Sequence, residues 1–250
     1  MPSIAGPDGA WYVFRVSRLA DGAARADNLA AILLDYGGTL DGDAQHWFDH
    51  FVRLWTEAGS TLPVAALKEA FYAADEALAR EPEIQSFGLE RMVRTHVDLQ
   101  LRHHGRRDDA LAARLAGAFI ADTRMAWDRN RPLLRALARR FRLGVVSNSY
   151  GNMPALLAEA DLAPFAVVVD SALEGVAKPD PAIYALAAAR LGLPTPTILH
   201  VGDSWARDVV PSAAVGMRSA WLAPPGAAAP ADPANVWRLA SLLDLGELLS

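Results

Sequence analysis

Short apolar runs that end on polar residues constrain the fold of this chain more than any other feature. The first run, residues 30–34, stops at Asp35, and continuous apolar runs of this length are typical of parallel strands buried on both faces. After Pro132 the same rhythm returns: strands are predicted at 142–146, 166–169, 197–201 and 218–222, and helices at 154–160, 181–191 and 236–249. This alternation predicts an α/β fold with a Rossmann-like, doubly wound parallel sheet.

The pattern changes to helical periodicity between the first predicted strand and Pro132. Apolar residues recur at helical spacing in three segments, around Trp47–Trp55, Leu67–Leu78 and Leu89–Leu101. We therefore expect an inserted all-helical cap at residues 43–128, an α/β core at 29–42 and 129–250, and an N-terminal extension at 1–28. Asp43 is expected to cap the first helix of the insert.

Charge and cysteine content exclude several classes of function. The chain carries a formal net charge of -5, which is unfavourable for binding a nucleic-acid backbone. It contains no cysteine, so disulfides, thiolate metal sites and a cysteine nucleophile are excluded. No apolar stretch reaches membrane-spanning length, and no signal-peptide pattern is found. A cytoplasmic protein that binds a small molecule is expected, with its oligomeric state left open.

Polar residues follow several of the predicted strands. Asp35, Ser147 and Asp203 each come directly after an apolar run, and Asp208 follows shortly after. Ligands of open α/β sheets bind in the crevice beyond the carboxyl ends of the strands. The pattern therefore predicts one crevice that collects these side chains.

Four short motifs, in order, resemble those of the haloacid dehalogenase-like (HAD) hydrolase superfamily. They are Asp35-Tyr36-Gly37-Gly38-Thr39, Ser147-Asn148, Lys178-Pro179, and Gly202-Asp203-Ser204-Trp205-Ala206-Arg207-Asp208. The predicted helical insert also falls where this superfamily places a small cap, between its first and second motifs. The resemblance covers residues 29–250.

The resemblance implies a hydrolase, and specifically a phosphatase whose expected substrate is a small phosphorylated metabolite. Asp35 would be the nucleophile, Thr39 would orient it through a hydrogen bond, and Ser147, Asn148 and Lys178 would bind the phosphoryl group. Attack of a carboxylate on a dianionic phosphate requires cations, which an ammonium group and Mg²⁺ can supply.

A magnesium site is expected beside the nucleophile. Asp203 and Asp208 offer the hard oxygen ligands that Mg²⁺ prefers. The resemblance adds Asp35 and the backbone carbonyl of Gly37 to this set. With Lys178, these residues form the expected catalytic centre.

The chain departs from the phosphatase pattern at Gly37. The superfamily's phosphatases carry a second aspartate there, which protonates the leaving oxygen and later activates water. Glycine cannot transfer a proton, and general acid–base catalysis is worth ~10²–10⁴-fold in rate. Asp41, Asp43, His46 or the substrate itself could replace it.

Three alternatives remain open at this stage. Haloacid dehalogenases have an aromatic residue at the Gly37 position, need no metal and lack the paired acids seen here. Phosphonoacetaldehyde hydrolases have alanine there and a cap lysine that forms a Schiff base; Lys68 is the candidate, on a helix that is expected to face it to solvent. A noncatalytic binding protein is the third alternative.

Overall fold

A parallel sheet forms the centre of the computed structural model, which describes residues 3–5, 11–13, 17–18, 28–224, 226–228 and 236–250. In chain order, the strands of these residues are β1 (Ser3–Ala5), β2 (Trp11–Val13), β3 (Ser17–Arg18), β4 (Ala31–Leu34), β5 (Arg142–Ser147), β6 (Phe165–Asp170), β7 (Ile198–Gly202), β8 (Arg218–Leu222) and β9 (Val236–Leu239). Seven of them form the main sheet in the order β3-β9-β8-β7-β4-β5-β6, in which β3 alone runs antiparallel; β1 and β2 form a separate antiparallel pair. The predicted α/β class is confirmed.

The position of β4 determines where a ligand can enter. The chain adds β5 and β6 on one side of β4, then returns to place β7, β8 and β9 on the other side. The strand order therefore reverses at β4, and such a switch point opens a crevice beyond the strand ends. All four residues of β4 are buried, as its apolar sequence predicts.

Helices surround the sheet and form the cap. Those of the described chain are α1 (Trp47–Glu57), α2 (Val64–Leu78), α3 (Leu89–His103), α4 (Asp109–Leu137), α5 (Met153–Ala160), α6 (Ser171–Glu174), α7 (Ala182–Leu191), α8 (Val210–Ala214) and α9 (Leu245–Leu248). Helices α1 to α4 pack around stacked rings: Phe51 lies 4.6 Å from Phe119 and 5.2 Å from His96 between ring centroids. None of the described helices is long and apolar enough to cross a membrane.

Helix α4 runs through the predicted boundary between cap and core at 128/129. It continues for 29 residues and includes Pro132, after which the sequence pattern changes. A proline inside a helix removes one backbone hydrogen bond. Here the C-terminal part of the helix is held by the core, because Asn130, Leu134 and Leu137 are buried. This packing outweighs the local preference, so cap and core share one helix.

The predicted helix at 236–249 is wrong over its first half. Val236–Leu239 is strand β9, and it pairs in parallel with β8, with Trp237 opposite Ala220. Val and Trp favour strands, and pairing at the sheet edge supplies backbone partners that the sequence pattern does not reveal. A helical turn then follows Ser241, whose side chain accepts from the backbone N–H of Leu243, before the short α9.

The start of the cap also differs from expectation. His46, not Asp43, caps α1: its Nδ1 accepts from the backbone N–H of Phe48 at 3.2 Å. Asp43 instead accepts from Arg129 at 2.9 Å and from the backbone N–H of Leu242 at 2.8 Å. It therefore ties the cap entrance to the C-terminal end of the core. Most of the predicted N-terminal extension, 1–28, lies outside the described residues.

Candidate active site

Three carboxylates and one ammonium group meet at the carboxyl ends of β4 and β7. Asp35 follows β4 and Asp203 follows β7, while Asp208 lies in the turn after β7. Ligand oxygens of these three aspartates lie within 4.8 Å of one another. The Nζ of Lys178 donates to Asp35 Oδ1 at 2.5 Å and to Asp208 Oδ1 at 2.8 Å. The structure thus brings together the charged residues that the motifs predicted.

The charges of this cluster do not balance. Burial raises the pKa of Asp35 although Lys178 opposes it, and burial with the neighbouring Asp35 and Asp208 charges raises the pKa of Asp203 well above its ordinary value. Burial acts in the same direction on Asp208, but the charge of Lys178 and contact with His200 hold its pKa below the ordinary value. Lys178 pairs with Asp35 and Asp208, and Asp203 lies beside them, so the cluster has an excess of two negative charges when all three carboxylates are ionised. Hard oxygen donors with this charge suit a divalent cation such as Mg²⁺.

Asn148 of motif two lines the crevice, and it also bonds to the backbone of Lys178. The side chain of Asn148 donates from Nδ2 to the backbone carbonyl of Lys178 at 2.9 Å and accepts from its backbone N–H at 2.8 Å. Both polar ends of the amide are thereby engaged, so Asn148 positions Lys178. Ser147 ends β5, is buried, and lines the crevice beside Lys178, as predicted.

Gly38 and Thr39 lie in the loop after Asp35. Gly38 has φ 82°, and a Cβ there would lie 2.4 Å from Asp203 Oδ2, so glycine is required. Thr39 is fully buried, but its Oγ1 has no hydrogen-bond partner among the residues described. The predicted hydrogen bond from Thr39 to Asp35 is therefore not formed among the described residues.

A crevice of about 440 Å³ lies between the cluster and the cap. The core lines it with the residues above and with Tyr150 and Arg207, which sequence reasoning did not select. The cap contributes side chains from α1, α2 and α3: Trp47, Phe71, Tyr72, Asp75 and Met92. Tyr150 and Arg207 stand next to or inside recognised motifs, which was a usable signal. Asp75 carries no such signal, because only the packing of α2 brings it to the crevice.

The three residues considered as substitutes for an acid at Gly37 are placed differently. Asp43 is engaged with Arg129 and does not line the crevice, whereas His46 does. Asp41 lies behind the crevice wall and accepts from Gly38 N at 2.7 Å and from Trp47 Nε1 at 2.6 Å. Burial raises the pKa of Asp41 to about 7, against these hydrogen bonds. Of the three, His46 has direct access to a bound molecule.

The bond between Trp47 and Asp41 gives a pH-dependent stability prediction. Because the folded pKa of Asp41 is about 7 and that of an unfolded carboxyl is about 4, ionisation of Asp41 lowers stability as pH rises between these values. Trp47→Phe removes a hydrogen bond that lowers this pKa, so the pKa of Asp41 should rise further. The decrease in stability caused by ionisation of Asp41 should then continue to higher pH. We expect a decrease of about 1–3 kcal/mol in unfolding free energy near pH 8, and a smaller decrease near pH 5. Urea unfolding at both pH values measures it.

Trp127→Phe is the matched control for this prediction. Trp127 is buried, and its Nε1 has no acceptor within the described part of the chain. Its replacement should cost packing energy equally at both pH values. An equal cost for Trp47→Phe at the two pH values would contradict the assigned role of Asp41.

Lys68 is exposed and does not line the crevice. The expectation that it faces solvent is therefore confirmed. A Schiff base with a molecule bound beside Asp35 would require this amine inside the crevice.

Comparison with known proteins agrees with the motifs. Residues 29–216 match a family model described as haloacid dehalogenase-like hydrolase. Over 92 residues the chain is 37% identical to haloacid dehalogenase-like hydrolase domain-containing protein 3 of Danio rerio and 36% identical to 5-amino-6-(5-phospho-D-ribitylamino)uracil phosphatase YigB of Escherichia coli. Each alignment covers 36% of this chain, and 38% and 37% of the two relatives. The matched segment thus spans well under half of either relative.

Solved structures share the fold over most of the chain. A 2-haloacid dehalogenase from Pseudomonas syringae is 26% identical and superposes with a TM-score of 0.50. The superposition covers 88% of this chain and 98% of the dehalogenase. Cap and core together therefore have a counterpart in this structure.

Proposed function

The chain belongs to the haloacid dehalogenase-like hydrolases, and from that membership we propose that it is a Mg²⁺-dependent phosphatase of a small phosphorylated metabolite. The observation that carries this proposal is the convergence of Asp35, Asp203 and Asp208 around Lys178. A phosphatase relative, YigB, supports the same reaction class. We propose no nucleic-acid or membrane partner.

Asp35 is the proposed nucleophile. Its carboxylate attacks phosphorus, a bond forms between the carboxylate oxygen and phosphorus, and the bond from phosphorus to the leaving oxygen breaks. Water then hydrolyses the aspartyl-phosphate, which releases phosphate and regenerates Asp35. Lys178 holds Asp35 by one oxygen and places its positive charge where the anionic nucleophile and substrate approach each other.

Asp35, the Gly37 carbonyl, Asp203 and Asp208 would hold Mg²⁺. When bound, the ion would neutralise further charge on the phosphoryl group. Ser147 lines the same crevice and would donate its hydroxyl hydrogen to a phosphoryl oxygen. Asn148 keeps Lys178 in place through the backbone contacts described above.

The leaving oxygen needs a proton that Gly37 cannot provide. His46 lines the crevice, but its Nδ1 is already an acceptor for a backbone N–H, and burial lowers its pKa. Protonation of His46 is therefore disfavoured near neutral pH. We propose that the enzyme works best on esters whose leaving group requires little protonation, or whose own structure supplies the proton.

The alternatives receive less support from the geometry. Lys68 lies outside the crevice, against a phosphonate-cleaving Schiff base. This chain shares its fold with a 2-haloacid dehalogenase. A dehalogenase reaction needs no metal, however, and would not use the paired carboxylates Asp203 and Asp208. A noncatalytic protein would have no chemical need for a buried nucleophile paired with Lys178.

Hydrolysis of p-nitrophenyl phosphate tests the proposed function, since its leaving group needs little protonation. We expect turnover by chelator-treated protein to fall by about 100-fold or more, and to return when Mg²⁺ is titrated back. The same preparation is assayed with 2-chloropropionate for chloride release. Chloride release without phosphate release would replace the phosphatase with a dehalogenase, and metal-independent phosphate release would remove the proposed metal.

A further inference from the structure

The cap wall of the crevice holds one carboxylate among aromatic and apolar side chains. Asp75 on α2 lines the crevice with Phe71, Tyr72 and Met92, and about a third of its side chain is exposed, 34%. No lysine or arginine pairs with Asp75 in the described ranges. A partly desolvated carboxylate without a cationic partner is costly unless something in the site compensates for it.

Two donors approach the same oxygen of Asp75. The hydroxyl of Tyr150, which comes from the core, donates to Asp75 Oδ1. Burial and the Asp75 charge raise the pKa of Tyr150 well above its ordinary value, so the hydroxyl keeps its proton. The Nε2 of His96 lies 3.3 Å from the same Oδ1 but forms no hydrogen bond with it. Oδ2 accepts no hydrogen bond from any described residue, and it is the oxygen left for a ligand.

A series of buried hydrogen bonds fixes the orientation of His96. The indole of Trp55 can only donate, and its Nε1 lies 2.9 Å from Gln100 Oε1. Gln100 must then present its NH₂ group to His96 Nδ1, 2.8 Å away, which makes Nδ1 an acceptor and leaves the neutral ring's proton on Nε2. His96 is completely buried, so this arrangement is part of the cap's core. The cap thus places a proton-bearing nitrogen next to Asp75 Oδ1.

The two walls of the crevice carry different charged groups. Lys178 and Arg207 line the core side beside the three aspartates, where the phosphate would bind, while Asp75 is the carboxylate that α1, α2 and α3 contribute to the lining. Aromatic rings next to a carboxylate favour an ammonium group, because ring faces attract cations. Tyr72 is 39% exposed at this wall and can contribute such a face.

We propose that the substrate is a phosphomonoester carrying a protonated amine at its other end, and that Asp75 is the residue that selects it. The proposal rests on the phosphatase function above and adds the chemical class of the remote group. Asp75 Oδ2 accepts from the ammonium group, while Tyr150 holds Oδ1. The contact between Tyr150 and Asp75 also closes the cap onto the core at this point.

Binding of non-hydrolysable ligands tests this selection without requiring turnover. The probes are a series of ω-aminoalkyl phosphonates and n-alkyl phosphonates of equal length, titrated into the Mg²⁺-loaded protein by calorimetry. We expect the best aminoalkyl ligand to bind ~10- to 100-fold more tightly than its alkyl partner. The preference should disappear in Asp75→Asn. Equal Kd values at every chain length in the wild type would overturn the proposal.

Glu76→Gln is the matched control, since it removes one negative charge from the neighbouring position of α2. Glu76 is exposed, and its contact within the described chain is Arg80 at 3.6 Å. This variant should keep the preference; its loss would show a general charge effect and overturn the proposal. If Asp75→Asn does not fold, Asp75→Glu replaces it, and the optimum should move to a shorter aminoalkyl chain. An unchanged optimum would count against Asp75.

The two proposals can fail separately. Absence of p-nitrophenyl phosphate turnover with Mg²⁺ would remove the phosphatase, while the Kd ratio would still report on Asp75. Turnover of that ester with equal binding of amino and alkyl ligands would keep the phosphatase and remove the ammonium selection.

Discussion

Asp35→Asn is expected to lower kcat for p-nitrophenyl phosphate by about 10³-fold or more, the range seen when a nucleophile is removed. A neutral amide cannot attack phosphorus, and it cannot balance the charge of Lys178. The protein should still fold, because Lys178 retains its contact with Asp208 at 2.8 Å. Steady-state assays and thermal unfolding of the same preparation measure both expectations.

Covalent trapping makes this test specific to the nucleophile. Acid-quenched wild type should carry one added phosphoryl group by intact mass, and Asp35→Asn should not. Asp180→Asn, at an exposed position just after Lys178, is a suitable control and should behave as wild type. A variant at position 35 that retained most of its turnover would rule out the proposed mechanism.

Gly37→Asp is expected to raise kcat for alkyl phosphates by ~10²–10⁴-fold, because it restores a group able to protonate the leaving oxygen. The backbone permits it: Gly37 has φ −70° and ψ 118°, which any residue can adopt. A Cβ at this position would lie 3.7 Å from the Trp47 ring, an ordinary contact distance. The gain should be much smaller for p-nitrophenyl phosphate, and comparison of the two substrates measures it.

Two further substitutions separate proton transfer from shape. Gly37→Asn has the size of aspartate but no acidic proton, so it should give no gain. Gly38→Ala should reduce activity, since its Cβ would collide with Asp203 Oδ2 at 2.4 Å in a left-handed conformation. Equal gains from aspartate and asparagine at position 37 would contradict the role assigned to the missing proton.

The sequence predicted the sheet and its charged cluster because both depend on local pattern. An apolar run followed by a polar residue places Asp35 at a strand end wherever that strand lies in the sheet. The same holds for Ser147 and Asp203. These residues were predicted by position, and the structure brings Asp35 and Asp203 into contact range with Asp208.

Features that depend on distant partners were not predictable in this way. Strand β9 exists because β8 offers an edge, and Pro132 stays helical because the core packs against α4. The position of Asp75 depends on how α2 lies against α3, and its contact with Tyr150 joins residues 75 positions apart. The bond from Asn148 to the backbone carbonyl of Lys178 likewise joins residues 30 positions apart. Each of these follows from tertiary contacts, which no short window contains.

Helix α4 couples the folding of the cap to the folding of the loop after Asp35. Its Asn130 donates to the backbone carbonyl of Leu40 at 3.0 Å, a few residues after Asp35, while its N-terminal half packs under the cap rings. Unfolding of the cap would fray the helix that supports this loop, so the two parts are coupled in one cooperative unit. Substitutions in the cap that change substrate specificity would therefore also change the stability of the whole molecule. This coupling limits which changes of specificity can evolve.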